Sequence, residues 1–273
     1  MIYVVPSLKA KEKLQCEGKA WAESQGFAYV PRGKRTIQDL MDEYGEDFLV
    51  YSSRGPQIDR PEGSHFFSLN MAELRIQSLR KGQRDHLLEA LMGVKEYDLR
   101  PAAAQPPISV LDCTCGFGAD AAVASFGLPA GSRVDALEVS PLLEAVTAWG
   151  FSHFVHKKDD VTAALRRISL RCGDYRDYLL SDDGPVYDVL YFDPMFQRPV
   201  EASCQFQPVR AIMEHGGLTR DLIERALQKA RRRVVIKERD FRQLCRDFPD
   251  VALYGGKYSR IGYAVLECDS WKK

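Results

Sequence analysis

The 273-residue sequence has no C-x-x-C pair, and its seven cysteines (Cys16, Cys113, Cys115, Cys172, Cys204, Cys245, Cys268) are scattered and odd in number. That pattern excludes a zinc ribbon and a disulfide framework. It points to reduced thiols in a cytoplasmic protein that needs no metal. Net charge is also missing, since Lys+Arg and Asp+Glu each count 38. Any contact with a polyanion must therefore be a local patch rather than a global field. No apolar run approaches the ~20 residues of a membrane span, and the apolar part of MIYVVPSLKAKEKLQ is too short for a signal peptide, so no membrane partner is expected. There is no internal repeat and no low-complexity tract. What is present is the composition of a globular protein with a sizeable core, 45% hydrophobic and 28% charged. The length suits one large domain with an appendage.

The clearest seam is LRPAAAQPP, residues 99–107, with three prolines, three alanines and no periodicity. It predicts a small N-terminal α/β unit over 1–98 and a main domain over 99–273. In the first part the pattern predicts strands over 2–5 and 48–52 and helices over 9–24 and 36–44. A loop through GPQIDRPEGS then leads to a helix ending in LRKGQRDHLLEALMG. The second part alternates. Strands are predicted at ISVLDC (108–113), RVDALEV (133–139), SLRCGD (169–174), YDVLYFD (187–193) and RVVIK (233–237), with a closing strand at IGYAVLE (261–267). Helices follow the glycine turn at Gly116 and Gly118, open at Pro141, and span 218–231, where Arg231, Arg232 and Arg233 would cap the helix end. Near-continuous β-branched runs alternating with helices predict a mostly parallel sheet with helices on both faces.

In such sheets ligands sit beyond the carboxyl ends of the strands. The first strand ends in Asp112-Cys113-Thr114-Cys115-Gly116-Phe117-Gly118-Ala119-Asp120. Glycines there let backbone approach a ligand, and the next helix offers free N–H donors. Ala121 stands where a dinucleotide fingerprint would carry its third glycine, which weakens a hydride-transfer reading. Glu138, twenty residues beyond Gly118, is placed to accept both hydroxyls of a ribose. Gly173-Asp174 at the third strand end could hold an adenine amino group, although Gly-Asp is also ordinary turn chemistry. No G-K-[ST] supplies a phosphate grip. An adenosine carrying an amino acid in place of phosphates is S-adenosyl-L-methionine, and the arrangement resembles that of the Rossmann-like class I methyltransferases.

The fourth strand ends in Asp193-Pro194-Met195-Phe196. An exocyclic amine on a nucleobase is a poor nucleophile because its lone pair is delocalised. The Asp193 carboxylate and Pro194 carbonyl could accept its N–H groups, and Phe196 could stack on the extruded base. Carbon methylation through a thiolate is the competing chemistry, but Cys204 has no Pro-Cys presentation, and His215 reads as a surface residue.

Asp-Pro-Met-Phe resembles the small-subunit ribosomal RNA guanine-N2 methyltransferase J family. The likeness extends to Arg80-Lys81-Gly82-Gln83-Arg84, to the turn Asp112–Asp120, to Glu138-Val139, to Val234-Val235-Ile236-Lys237 and to Lys257-Tyr258-Ser259-Arg260, about residues 75 to 267. The chain departs from the family's pattern at Ala119 and Val139, where the family has arginines, and at Gln197, where it has proline. The resemblance implies that residues 119–120, 138–139, 173–174 and Asp193 contact the cofactor. It further implies that the enzyme is an S-adenosylmethionine-dependent N-methyltransferase acting on guanine N2 in small-subunit ribosomal RNA. Basic side chains near the strand ends, Lys81, Arg84, Lys237 and Lys257, with Arg80, Arg239 and Arg260, would meet RNA phosphates. Two alternatives stay open: methylation of a protein glutamine or small amine, and a non-catalytic module that binds cofactor or RNA. The sequence leaves the oligomeric state and the role of the first seventy residues open.

Overall fold

The computed structural model describes residues 1–95, 105–194, 217–255 and 261–268. Within them the chain forms two compact units. The first comprises Met1–Ser68 and Ser140–Phe154, and the second comprises 69–139 and the described residues from 155 onward.

The first unit is built on β1 (Tyr3–Pro6), α1 (Glu12–Ser24), β2 (Ala28–Tyr29), α2 (Ile37–Tyr44), β3 (Phe48–Ser52), β4 (Gly55–Arg60) and β5 (Gly63–Phe66). The strands form one sheet in the order β2-β1-β3-β4-β5, parallel through β2-β1-β3 and antiparallel from β3 onward. Short apolar runs make its core: Val4, Val5, Phe48, Leu49 and Val50 are fully buried. Helix α2 starts at a capping box in which Thr36 and Asp39 satisfy each other's backbone N–H groups.

The hairpin β4–β5 replaces the loop that the sequence predicts through GPQIDRPEGS. Its strands bury polar residues (Gln57, Asp59, Arg60, His65) and so lack the apolar alternation by which a strand is recognised. Gln57 Nε2 donates to both Asp59 carboxylate oxygens at 2.8 and 2.9 Å. Arg60 donates to the carbonyls of Asp59 and Glu46 at 2.8 and 2.6 Å. Gln57, Asp59 and Arg60 are thereby paired, which lets a polar segment fold as the interior strand β4.

The second unit opens with α3 (Asn70–Arg80) and α4 (His86–Met92), followed by β6 (Ser109–Asp112), α5 (Ala119–Gly127) and β7 (Arg133–Glu138). Next in the chain comes α6 (Pro141–His153), which packs over β4 and belongs to the first unit. The second unit resumes with α7 (Asp159–Leu165), β8 (Ile168–Cys172), α8 (Tyr175–Leu180), β9 (Val189–Phe192), α9 (Arg220–Lys229), β10 (Arg233–Glu238), α10 (Arg242–Asp247), β11 (Ala252–Gly255) and β12 (Gly262–Glu267). The division of the chain is therefore not a single cut at residue 98. Helices α3 and α4 group with the second sheet because α3 packs against α5 and α4 against β11 and β12. Much of the proline-rich seam, residues 96–104, lies outside the described residues.

The seven strands are ordered β11-β12-β10-β9-β6-β7-β8. They are parallel from β10 to β8, and β12 is inserted antiparallel between β10 and β11. This is the mostly parallel Rossmann-like α/β sheet that the alternation predicts, with the strand order reversing between β6 and β9. A crevice for a ligand opens at such a reversal. The central strands bury an apolar core: Leu111, Leu190, Phe192, Val234 and Ala264 are fully buried, with Ile223 and Ala226 of α9 packed on them. Arg231, Arg232 and Arg233, expected as a cap on α9, follow its last turn, and the Arg231 N–H donates to the Tyr187 carbonyl at 2.9 Å. Arg232 pairs with Asp188, and Arg233 starts β10, where its guanidinium meets Glu267 and the Leu91 carbonyl. Among the described residues no helix is long and apolar enough to cross a membrane.

Candidate functional site

The chain leaves β6 through a turn that its own side chains enforce. Asp112 Oδ1 accepts the Thr114 N–H at 3.1 Å, and the Gly118 N–H closes back on the Cys115 carbonyl at 2.9 Å. Gly116 and Gly118 both sit at positive φ, +54° and +77°, a conformation that disfavours any residue with a Cβ. Among the described residues a Cβ at Gly116 would meet only the Thr114 carbonyl, at 3.9 Å. Gly118 is the N-cap of α5 and brings no side-chain acceptor to the first turn. Asp120 lies in that turn, favourable for an acid at a helix N-terminus.

Two acids from neighbouring strand ends are tied to this turn. Glu138, at the end of β7, accepts the Gly116 N–H on Oε2 at 2.8 Å. Thr114 Oγ1 accepts the Asp193 N–H at 2.7 Å, pinning the residue that follows β9. Glu138, the glycine turn and Asp193 thus form one hydrogen-bonded unit across three adjacent strand ends. On the far side of Glu138, its carbonyl accepts the Gly173 N–H at 2.9 Å. Asp174 caps α8, accepting from the Arg176 backbone N–H at 2.8 Å and its Nε at 3.0 Å.

A second set of groups lies behind Asp193. Lys237 Nζ, near the end of β10, is 2.7 Å from Asp193 Oδ2 and 2.8 Å from Asp120 Oδ2. Asp120 also pairs with Arg75 of α3 and accepts from the Tyr191 hydroxyl at 2.7 Å. Arg75 in turn holds Asp85, the N-cap of α4, through two 2.8 Å bonds. The chain Asp85–Arg75–Asp120–Lys237–Asp193 alternates in sign, with three carboxylates and two cations.

Charges taken from water are tolerated when each meets an opposite partner. Asp120 meets two cations, and although burial opposes its ionisation, Lys237 and Arg75 hold its carboxyl well below the usual range. Burial pushes Asp193 the other way, up to about 6, with Lys237 opposing that rise and Asp120 and Glu238 adding to it. Asp112, buried at the end of β6, is raised by desolvation. The uncompensated negative charge of the chain therefore falls on Asp193, whose side chain is 29% exposed against 14% for Lys237 and 10% for Asp120.

The structure brings together Asp112, Thr114, Gly116, Phe117, Gly118, Ala119, Asp120, Glu138, Val139, Gly173, Asp174, Asp193 and Pro194 along the carboxyl ends of β6, β7, β8 and β9. Their chemistry fits an adenosine with an amino-acid tail: acids at two strand ends, a glycine turn, and no lysine or arginine between 112 and 120. The basic residues expected at RNA phosphates fall in different settings. Lys81 is exposed. Arg84 pairs with the buried Glu89, which His86 also meets. Lys237 lies between two carboxylates rather than at the surface. Phe196, Lys257, Gln197, Cys204 and His215 lie outside the described residues. Sequence reasoning missed Arg75, Asp85 and Tyr191. No motif marks them, and the only available signal was Asp85 preceding an apolar helical run as an N-cap.

Comparison with known proteins agrees with this geometry. Residues 76–261 match a family model described as "Putative SAM-dependent methyltransferase". The chain is 28% identical over 236 residues to the uncharacterized protein YpiP of Bacillus subtilis, covering 86% of this chain and 88% of that one. It is 32% identical over 164 residues to a ribosomal RNA small subunit methyltransferase J of Rhodopseudomonas palustris, covering 58% and 68%. In three dimensions it is similar to a SAM-dependent methyltransferase of Neisseria gonorrhoeae, with a TM-score of 0.63 at 17% identity over 98% of this chain and 96% of the other.

Proposed function

The chain belongs to the SAM-dependent methyltransferase family, with S-adenosylmethionine as its cofactor, and from that footing we propose that it methylates the exocyclic N2 amine of a guanine in small-subunit ribosomal RNA. The observation that carries the reading is the shared anchoring of Glu138 and Asp193 on one turn. It supports the reading because the acid assigned to the ribose and the acid assigned to the amine are tied to the same backbone segment. The Rhodopseudomonas relative, a ribosomal RNA small subunit methyltransferase J, supports the substrate class, and the Asp193-Pro194 pair supports the chemistry for an amine.

When bound, the cofactor supplies an activated methyl group on a sulfonium. The chain's own work is to hold, orient and dry. Glu138 would accept the ribose hydroxyls, the Gly116–Gly118 backbone would hold the amino-acid tail, and Gly173-Asp174 would hold the adenine. Asp193, once ionised, accepts one N–H of the target amine, and the Pro194 carbonyl accepts the other. Both bonds raise electron density on nitrogen and fix its lone pair toward the methyl donor, so catalysis is mostly positioning. Phe196 is assigned to stack on the base, and Lys81 and Lys257 to meet phosphates.

Mass spectrometry of nucleosides from small-subunit RNA of a deletion strain tests the proposal. The expected result is loss of one N2-methylguanosine, restored by the wild-type gene and not by Asp193→Ala. An unchanged RNA nucleoside profile, with labelled methyl passing to protein instead, would transfer the assignment to the glutamine or small-amine alternative.

A further inference from the structure

Lys237 is the least expected element of the site. A lysine at the end of a central strand, beside a crevice that takes RNA, looks like a phosphate contact. Its geometry contradicts that role. The side chain is 14% exposed, and its ammonium donates to Asp120 Oδ2 and Asp193 Oδ2, at 2.8 and 2.7 Å. Asp120 is itself fixed by Arg75 and the Tyr191 hydroxyl, and Arg75 by both oxygens of Asp85. Lys237 is thus gripped from behind and presents one side to Asp193. A lysine so held does not reach out to a phosphate, since leaving would strip Asp193 of its counter-charge and leave the buried Asp120 to Arg75 alone.

We propose that Lys237 is a positioning residue: it clamps Oδ2 of Asp193, turns Oδ1 toward the target amine and keeps the carboxylate ionised. This rests on the reading of Asp193 as the acceptor for the amine. The requirement is chemical. Only the ionised carboxyl is a pure acceptor, and a protonated Asp193 would present a donor to an N–H. Several groups act on Asp193. Lys237 of β10 favours its charge, whereas Asp120 at the start of α5, Asp112 of β6 and Glu238 of β10 oppose it. Tyr191 of β9 stays a neutral donor because burial raises its hydroxyl well above the ordinary value. Against one cation and three acids, Asp193 titrates near neutrality, and Lys237 decides on which side of neutrality it lies.

The test uses the full-length protein without cofactor or RNA. The carboxyl carbon of Asp193, labelled with ¹³C and assigned by its absence in Asp193→Asn, is titrated by NMR. In Lys237→Met the midpoint should rise by about one to three pH units, as expected on loss of an adjacent opposite charge. In Asp120→Asn it should fall, because an opposing carboxylate is gone and Lys237 is left to Asp193 alone. Lys237→Arg should keep the midpoint close to wild type. Shifts of opposite sign are not what a general loosening of the fold would produce, and thermal melts identify any variant that fails to fold. The second readout is methyl transfer to small-subunit RNA from the deletion strain, at saturating S-adenosylmethionine. The acid limb of kcat/KM should follow the NMR midpoint upward in Lys237→Met, with the KM for RNA and its salt dependence unchanged. An unmoved midpoint, or a raised RNA KM with a shallower salt slope and an unmoved acid limb, would return Lys237 to the phosphate-contact role and overturn the inference. An Asp193→Asn variant with full activity would overturn the underlying reading as well. An inactive Asp193→Asn beside an unmoved Lys237→Met midpoint would overturn this inference alone.

Discussion

Both units bury charge, and they do so to different ends. In the first, Arg60 donates to two backbone carbonyls and lies over the Phe48 ring, while Gln57 closes on Asp59. Gln57 Oε1 also accepts from the Ser52 hydroxyl of the neighbouring β3 at 2.9 Å, so the set ties β4 into the interior of a small sheet. In the second, the charges run in a line from Asp85 to Asp193, and the line ends on a partly exposed carboxylate beside a glycine turn. A buried polar cluster that closes on itself is architecture. One that delivers an unbalanced charge to a strand end is a site, because the surplus is available to a ligand.

The contrast can be broken most directly at Asp193. Asp193→Asn is expected to lower kcat by about 10²- to 10³-fold, in the range for loss of one preorganised polar group in a catalytic site. Its melting temperature should stay the same or rise, since a poorly compensated charge is removed. Wild-type activity should decline as pH falls through about 6, because the ionised carboxylate is the active form and Asp193 is raised to that value. A pH profile of kcat/KM checks this.

Next in size is Glu138→Gln. Loss of a charged acceptor should weaken S-adenosylmethionine binding by about 1.5 to 3 kcal/mol in calorimetry. Arg60→Met is the counterpart in the first unit. It should cost about 1 to 3 kcal/mol in denaturant unfolding by leaving carbonyls unpaired, with cofactor affinity unmoved. If Arg60→Met impaired catalysis while leaving stability intact, the distinction between the two clusters would fail. Smallest is Thr114→Val, which removes the acceptor of the Asp193 N–H. About 1 kcal/mol of stability should go with it, and kcat should fall while cofactor affinity holds.

The strand ends were readable from residue pattern because each couples an apolar run to an acid or a glycine. Glu138, Asp193 and the turn from Asp112 to Asp120 all fall where that pattern puts them. Lys237 was visible as a residue but not as a role, since nothing local to RVVIK says that Asp120, more than a hundred residues earlier, faces it. Arg75 was invisible for the same reason, as its partner Asp120 lies on α5, and Asp85 showed only as a helix N-cap. The β4–β5 hairpin was hidden by its polarity, and the membership of α6 by sequence order. A helix following a Rossmann-like strand is expected to cover that strand's own sheet, whereas here its glycine and rings belong to the first unit.

That membership sets where this protein can be cut. Trp149 lies so close to Gly55 that a Cβ would meet its ring at 2.5 Å, and Phe67 lies against the backbone of Gly150. Phe67 also meets Phe151 and Phe154 edge-on, at 5.6 and 5.5 Å between ring centres. A fragment ending at Ser68 would carry half of this aromatic seam and would need a peptide spanning 140–154 added in trans to complete it. The two units are modules in space but not on the gene, and a domain swap designed as a single crossover would divide one hydrophobic core between two parents.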